Sequence, residues 1–142
     1  CSMKNIAIPI DGSDGSKKAM AKAKEFARVF GSNITLLNVK EIPVQEDYYN
    51  KIEDYLALLN EMSQKVLNEG KKFFSDLECN INTVSLEGNA ARSIVKYVEN
   101  NDIDLVIIGS EGLNSNGIKR VLIGSVANKV LHRLKKPLLI VK

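Results

Sequence analysis

The chain predicts an α/β fold: a single open, doubly wound parallel sheet of five strands with four helices on its faces, for which the order 3-2-1-4-5 is taken from the fold class. Three observations carry that expectation. Short apolar runs rich in β-branched residues are separated by longer stretches of helical period. The runs are apolar at consecutive positions, as strands covered on both faces are. The two kinds of segment alternate strictly, which implies parallel strands joined by right-handed crossovers.

Ile6 to Ile10 reads as the first strand. A helical pattern follows from Lys17 to Phe30, with Ser13 or Asp14 able to cap its start and Gly31 able to stop it. Ile34 to Val39 is the second strand. The stretch from about Glu46 to Leu77 has helical period and is interrupted at Gly70, so it is one helix with a weak point or two helices. Tyr48, Tyr49, Tyr55 and the neighbouring acids make its start amphipathic, which reads as a packing face. Ile81 to Leu86 is the third strand, and Ala90 to Asn100 a helix with Asn89 as its cap. Leu105 to Ile108 forms the fourth strand, Val126 to Leu134 the last helix and Leu138 to Val141 the fifth strand.

At 142 residues, 44% of them apolar, the chain has the length and the core of one domain, expected to span 3–142. Cys1 and Ser2, ahead of Met3, are expected to be remnants foreign to that domain. Lys and Arg number 20 against 17 Asp and Glu, far from the dense basic stripe of a nucleic-acid binder. The charge is unevenly placed: from Leu113 onward there are seven cations and no acid. Most of these read as a solvated helix face. Lys119 and Arg120 are the better placed to meet an anion. Cys1 and Cys79 form neither a metal-ligand spacing nor a disulfide framework, which fits the reducing cytoplasm. No apolar stretch approaches the roughly 20 residues of a membrane span, so no membrane partner is expected.

In a doubly wound sheet ligands bind beyond the carboxyl ends of the strands, where the strand order reverses. In the order 3-2-1-4-5 that crevice lies between the first and fourth strands. Asp11 ends the first strand and precedes Gly12, so its carboxylate would enter the crevice on a tight turn; an ordinary Asx turn explains the same residues. Gly109 and Gly112 after the fourth strand would let the backbone approach a ligand. Gly124-Ser125 then opens the last helix, whose unpaired N–H groups and dipole, with the Ser125 hydroxyl, suit a phosphate. Neither GxxxxGK[ST] nor a GxGxxG following a strand is present.

The pattern Gly109-Ser-Glu-Gly112, then Gly124-Ser125-Val126, resembles that of the ATP-binding universal stress proteins. "IAIPIDGSDGSKKAM", "ITLLNV" and "LEGNAARSIVKYVENNDIDLVIIGS" are similar to other landmarks of that family, and the resemblance runs from about Lys4 to Lys142. It implies a Rossmann-like fold of the adenine-nucleotide alpha hydrolase type and a stress-response role. It also implies adenine and ribose against Pro9, Ile10, Asp11, Val39 and Ile108, with phosphates over Gly109, Gly112, Gly124, Ser125 and Val126. The implied ligand is ATP, ADP or AMP, with Mg²⁺ able to bridge phosphate and carboxylate, and the implied assembly is a homodimer through the last strand. "PLLIVK" supports the dimer independently, because an apolar edge strand is better paired than exposed. Two departures stand out. Eleven residues separate Gly112 from Gly124 where the family has about nine, the extra pair falling near Asn114, Ser115 and Asn116. Glu111 sets a carboxylate beside the expected phosphates, a repulsion that a divalent ion would relieve.

No catalytic constellation is legible. His132 is the only histidine and falls on the Asn128, His132, Lys135 stripe of the last helix, away from its apolar face. A Ser-His-Asp triad, a Cys-His pair and a zinc site all lack partners. At most slow ATP hydrolysis is expected. The alternative reading is a scaffold or interaction dimer of the same fold that binds no nucleotide. A flavodoxin-like or receiver-like enzyme fits poorly, without an aromatic platform for flavin and without the acid cluster of a receiver.

Overall fold

A computed structural model describes residues 3–41, 52–111 and 123–142. The elements are β1 (Asn5–Pro9), α1 (Asp14–Phe30), β2 (Asn33–Lys40), α2 (Ile52–Phe73), β3 (Ile81–Glu87), α3 (Ala90–Glu99), β4 (Leu105–Gly109), α4 (Ser125–Arg133) and β5 (Leu138–Val141). The strands form one parallel sheet in the order β3-β2-β1-β4-β5, as the sequence predicts. The start of the long second segment before Ile52, with Tyr48 and Tyr49, lies outside the described residues.

Alternation along the central strands assigns each side chain to one of two cores. Ile6 and Ile8 of β1, Ile34 and Leu36 of β2, and Leu105 and Ile107 of β4 pack against Ala19, Met20, Ala23 and Ala27 of α1 and Leu67 of α2. Ala7, Leu37, Val106 and Ile108 point the other way, onto Ala91, Ile94 and Val98 of α3 and Ala127 and Val130 of α4. Burial on both faces is why these strands read as unbroken apolar runs. The edge strands are less covered: every residue of β5 is half-buried, and no residue of β3 is fully buried.

Local chemistry sets the helix ends. The Ser13 hydroxyl accepts the Ser16 N–H at 3.2 Å, and the Asn89 side chain accepts the Arg92 N–H at 3.1 Å. Gly31, at φ 65°, stops α1 in the left-handed conformation. α2 runs unbroken through Gly70. A β-carbon there would lie 2.9 Å from both Ile10 Cδ1 and Leu36 Cδ1, so the glycine lets the helix settle onto the sheet. The apparent weak point of the sequence is a packing contact.

Candidate functional site

The carboxyl ends of β1 and β4 lead into two connections that meet. After β1, the Ile10 N–H still bonds to the Leu37 carbonyl at 2.8 Å, and the buried Asn38 amide donates to the Ile10 carbonyl at 2.8 Å, so the strand pairing persists to the turn. Asp11 then accepts the Ser13 N–H on Oδ1 at 2.9 Å, with Gly12 at φ 84° supplying the left-handed residue. The aspartate is exposed and its carboxylate shapes the entry into α1.

The second connection is held against the first by backbone alone. A β-carbon on Gly109 would overlap the Gly15 carbonyl oxygen, and one on Gly15 would overlap the Glu111 carbonyl oxygen. Two glycines, one in the first turn of α1 and one at the end of β4, therefore let helix and strand end interlock. Ser110, buried, donates its N–H to Val141 of β5 at 2.9 Å and accepts the Gly124 N–H on its carbonyl at 2.6 Å. That bond returns the chain to the crest of the sheet where α4 begins. The cap of α4 is Gly124, which makes no side-chain bond to the first turn. Gly124 offers the first-turn N–H groups no side chain of the kind that Ser13 and Asn89 supply in α1 and α3.

The end of β2 is closed differently. Lys40 Nζ lies 3.3 Å from Glu87 Oε1 and donates to Asn60 at 2.6 Å, and the Glu41 carboxylate accepts the Ala90 N–H of α3 at 3.2 Å.

Pro9, Ile10, Asp11, Ile108, Gly109, Gly124, Ser125 and Val126 all stand at this carboxyl-end crest, with Val39 one strand away near the end of β2. Their side chains are not all available to it. Ile10 is 4% exposed and belongs to the core under α1 and α2, while Ile108 is 5% exposed and belongs, with Val39 and Val126 at its margin, to the core under α3 and α4. Ile10 and Ile108 offer a ligand their backbone. Gly112, Lys119 and Arg120 lie outside the described residues. Gly15, Ser110 and Glu41 were not singled out from the sequence. A glycine in the first turn of a helix is a readable hint of close packing, whereas nothing local marks Ser110 or Glu41. Among the described residues no group of three His, Cys, Asp or Glu side chains converges on a metal position, and no helix is long and apolar enough to cross a membrane.

A family profile of the universal stress proteins matches residues 3–142. The chain belongs to the universal stress protein family. The universal stress protein MJ0531 of Methanocaldococcus jannaschii is 33% identical over 145 residues, covering 98% of this chain and 82% of that one. The universal stress protein UspA of Lactobacillus plantarum superposes with a TM-score of 0.88 at 22% identity, over 99% of this chain and 98% of that one. A universal stress protein of Archaeoglobus fulgidus, solved in complex with dAMP, superposes with a TM-score of 0.69 at 19% identity, over the whole length of both chains. At these identities the two solved structures establish the family's fold.

Proposed function

We propose that the chain is a nucleotide-binding regulatory dimer whose crest between β1 and β4 takes an adenine nucleotide, ATP, ADP or AMP. The observation that carries this reading is the start of α4: a glycine cap without a side-chain bond, drawn to the crest by the Gly124–Ser110 hydrogen bond, leaving first-turn N–H groups for an anion. In this reading the N–H groups of Ser125 and Val126 and the Ser125 hydroxyl hold phosphate, together with Gly112. The exposed Asp11 carboxylate faces the ribose hydroxyls, and Pro9, Val39 and the Ile10 and Ile108 backbone flank the base. Mg²⁺ would bridge the phosphates and nearby carboxylates, Glu111 among them. The dAMP complex of the Archaeoglobus fulgidus relative supports an adenine nucleotide as the ligand class. Pairing of two copies through the open edge of β5, whose residues are all half-buried, completes the dimer. In this reading the protein acts as a regulatory module in the cytoplasm.

Two contacts favour the scaffold alternative. Asp11 already serves the Ser13 N–H, and the space beside Gly109 is already filled by Gly15. One experiment separates the readings: mass spectrometry of small molecules released from the denatured protein, followed by calorimetric titration with ATP, ADP and AMP, with and without Mg²⁺. Carried-through adenine nucleotide or saturable binding supports the nucleotide reading. The absence of both leaves the scaffold.

A further inference from the structure

The first two turns of α2, up to Leu59, extend beyond its bonds to the sheet. Gly70 lies on Ile10 and Leu36, Ser63 bonds to Ser85 of β3 at 2.8 Å and Asn60 bonds to Lys40 at the end of β2. From Leu59 back to Ile52 the helix therefore continues past the last sheet residues by about 12 Å at 1.5 Å per residue. On and just below this projection three large apolar side chains face solvent: Tyr55 is 41% exposed, Leu58 51% and Met62 53%. Their spacing of three and four residues makes one continuous stripe. Asp54 and Lys65, both exposed, stand eleven residues apart, about three turns, and so project from the same flank of it.

We propose that this stripe is a contact between two copies of the chain, packed with their α2 helices antiparallel about a twofold axis beside Leu58. The pattern is self-complementary in that arrangement. Tyr55 of one copy meets Met62 of the other, Leu58 meets Leu58, and because equivalent flanks face each other across an antiparallel pair, Asp54 meets Lys65 at both ends. A parallel arrangement leaves the acid and the cation at opposite ends of the seam. Three apolar side chains per copy fall well below the ~800 Å² per partner of a standard interface, so the contact is weak and reversible. It adds to, and does not depend on, pairing through β5 or nucleotide binding. An isologous contact of this kind, on a chain paired elsewhere, joins pairs into larger assemblies.

The test is sedimentation of the full chain without nucleotide, from micromolar to millimolar concentration. Wild type is expected to gain mass with concentration above the unit present at the lowest. Leu58→Glu, at an exposed position, is expected to stay at that unit with an unchanged circular dichroism spectrum. Asp54→Lys and Lys65→Asp each place like charges across the seam, and each alone is expected to lose association roughly tenfold or more. Mixed one to one they are expected to regain it, since one copy then carries lysine at both positions and the other aspartate at both, and opposite charges face each other at each end of the seam. A wild-type mass independent of concentration overturns the proposal. So does an equal gain in Leu58→Glu, or a mixture no more associated than its components.

Discussion

The carbonyl oxygen of Gly15 fills the place that a β-carbon on Gly109 would occupy. Helix α1 thus begins in van der Waals contact with the end of β4, and both glycines are fixed by the fold before any ligand is considered. Gly109→Ala should therefore destabilise the ligand-free protein by about 1–3 kcal/mol, the usual cost of overpacking against atoms that cannot move aside. The urea midpoint without nucleotide is the measurement. An unchanged midpoint would mean that the contact relaxes freely.

Gly124→Val separates fold from ligand. Gly124 has φ −57° and ψ 159°, a conformation open to any residue, so the variant should fold. Its branched side chain would stand where the phosphate is proposed to sit. Nucleotide binding measured by calorimetry should vanish while the sedimentation behaviour stays that of wild type. Full affinity in this variant would move the site away from α4.

Caps should divide the serines. Ser13→Ala removes the acceptor of the Ser16 N–H and should cost about 1 kcal/mol. Ser125→Ala, at the start of a helix whose cap makes no side-chain bond, should leave thermal stability unchanged without ligand and weaken nucleotide binding. Equal losses of stability in the two variants would contradict this division.

Asp76 gives a pH signature. The hydrogen bond from Lys24, whose Nζ is 2.7 Å from the carboxylate, and the Arg28 guanidinium at 3.1 Å hold its pKa below the usual carboxylate value. A group depressed by folding stabilises at neutral pH and loses that contribution as pH falls through its folded pKa. Asp76→Asn should therefore lower Tm slightly at pH 7, by an amount that shrinks on acidification and in molar salt, since the Asp76 carboxylate is exposed. A deficit constant with pH would assign the effect to packing.

The sheet order followed from the fold class alone, whereas the alternation of strands and helices, the helix count and most boundaries were legible because they rest on local signals: apolar runs for buried strands, Asn89 for a cap and Gly31 for a stop. Asp11, Gly109 and Gly124 were legible as residues of the crest for the same reason. What escaped is what depends on partners distant in sequence. Gly70 read as a helix breaker, and only the positions of Ile10 and Leu36 show why a glycine belongs there. Gly109 read as room for a ligand, yet Gly15, 94 residues earlier, fills that room. The burial of Ile10 and Ile108 in opposite cores likewise follows from the packed helices and not from strand sequence.

At the middle of the sheet β1 lies beside β4, with the Asn5 N–H on the Asp104 carboxylate and the Asp104 N–H on the Asn5 carbonyl, both at 2.9 Å. That juxtaposition sets the order in which strands of a growing chain can pair. Once β3 has emerged, β3, β2 and β1 can pair, but the inner edge of Ile6, Ala7 and Ile8 waits for β4. At roughly 5–20 residues per second, translating α3 and β4 takes a second or more. The interval between the emergence of β3 and that of β4 thus sets how long the apolar centre of the sheet stays open to wrong partners.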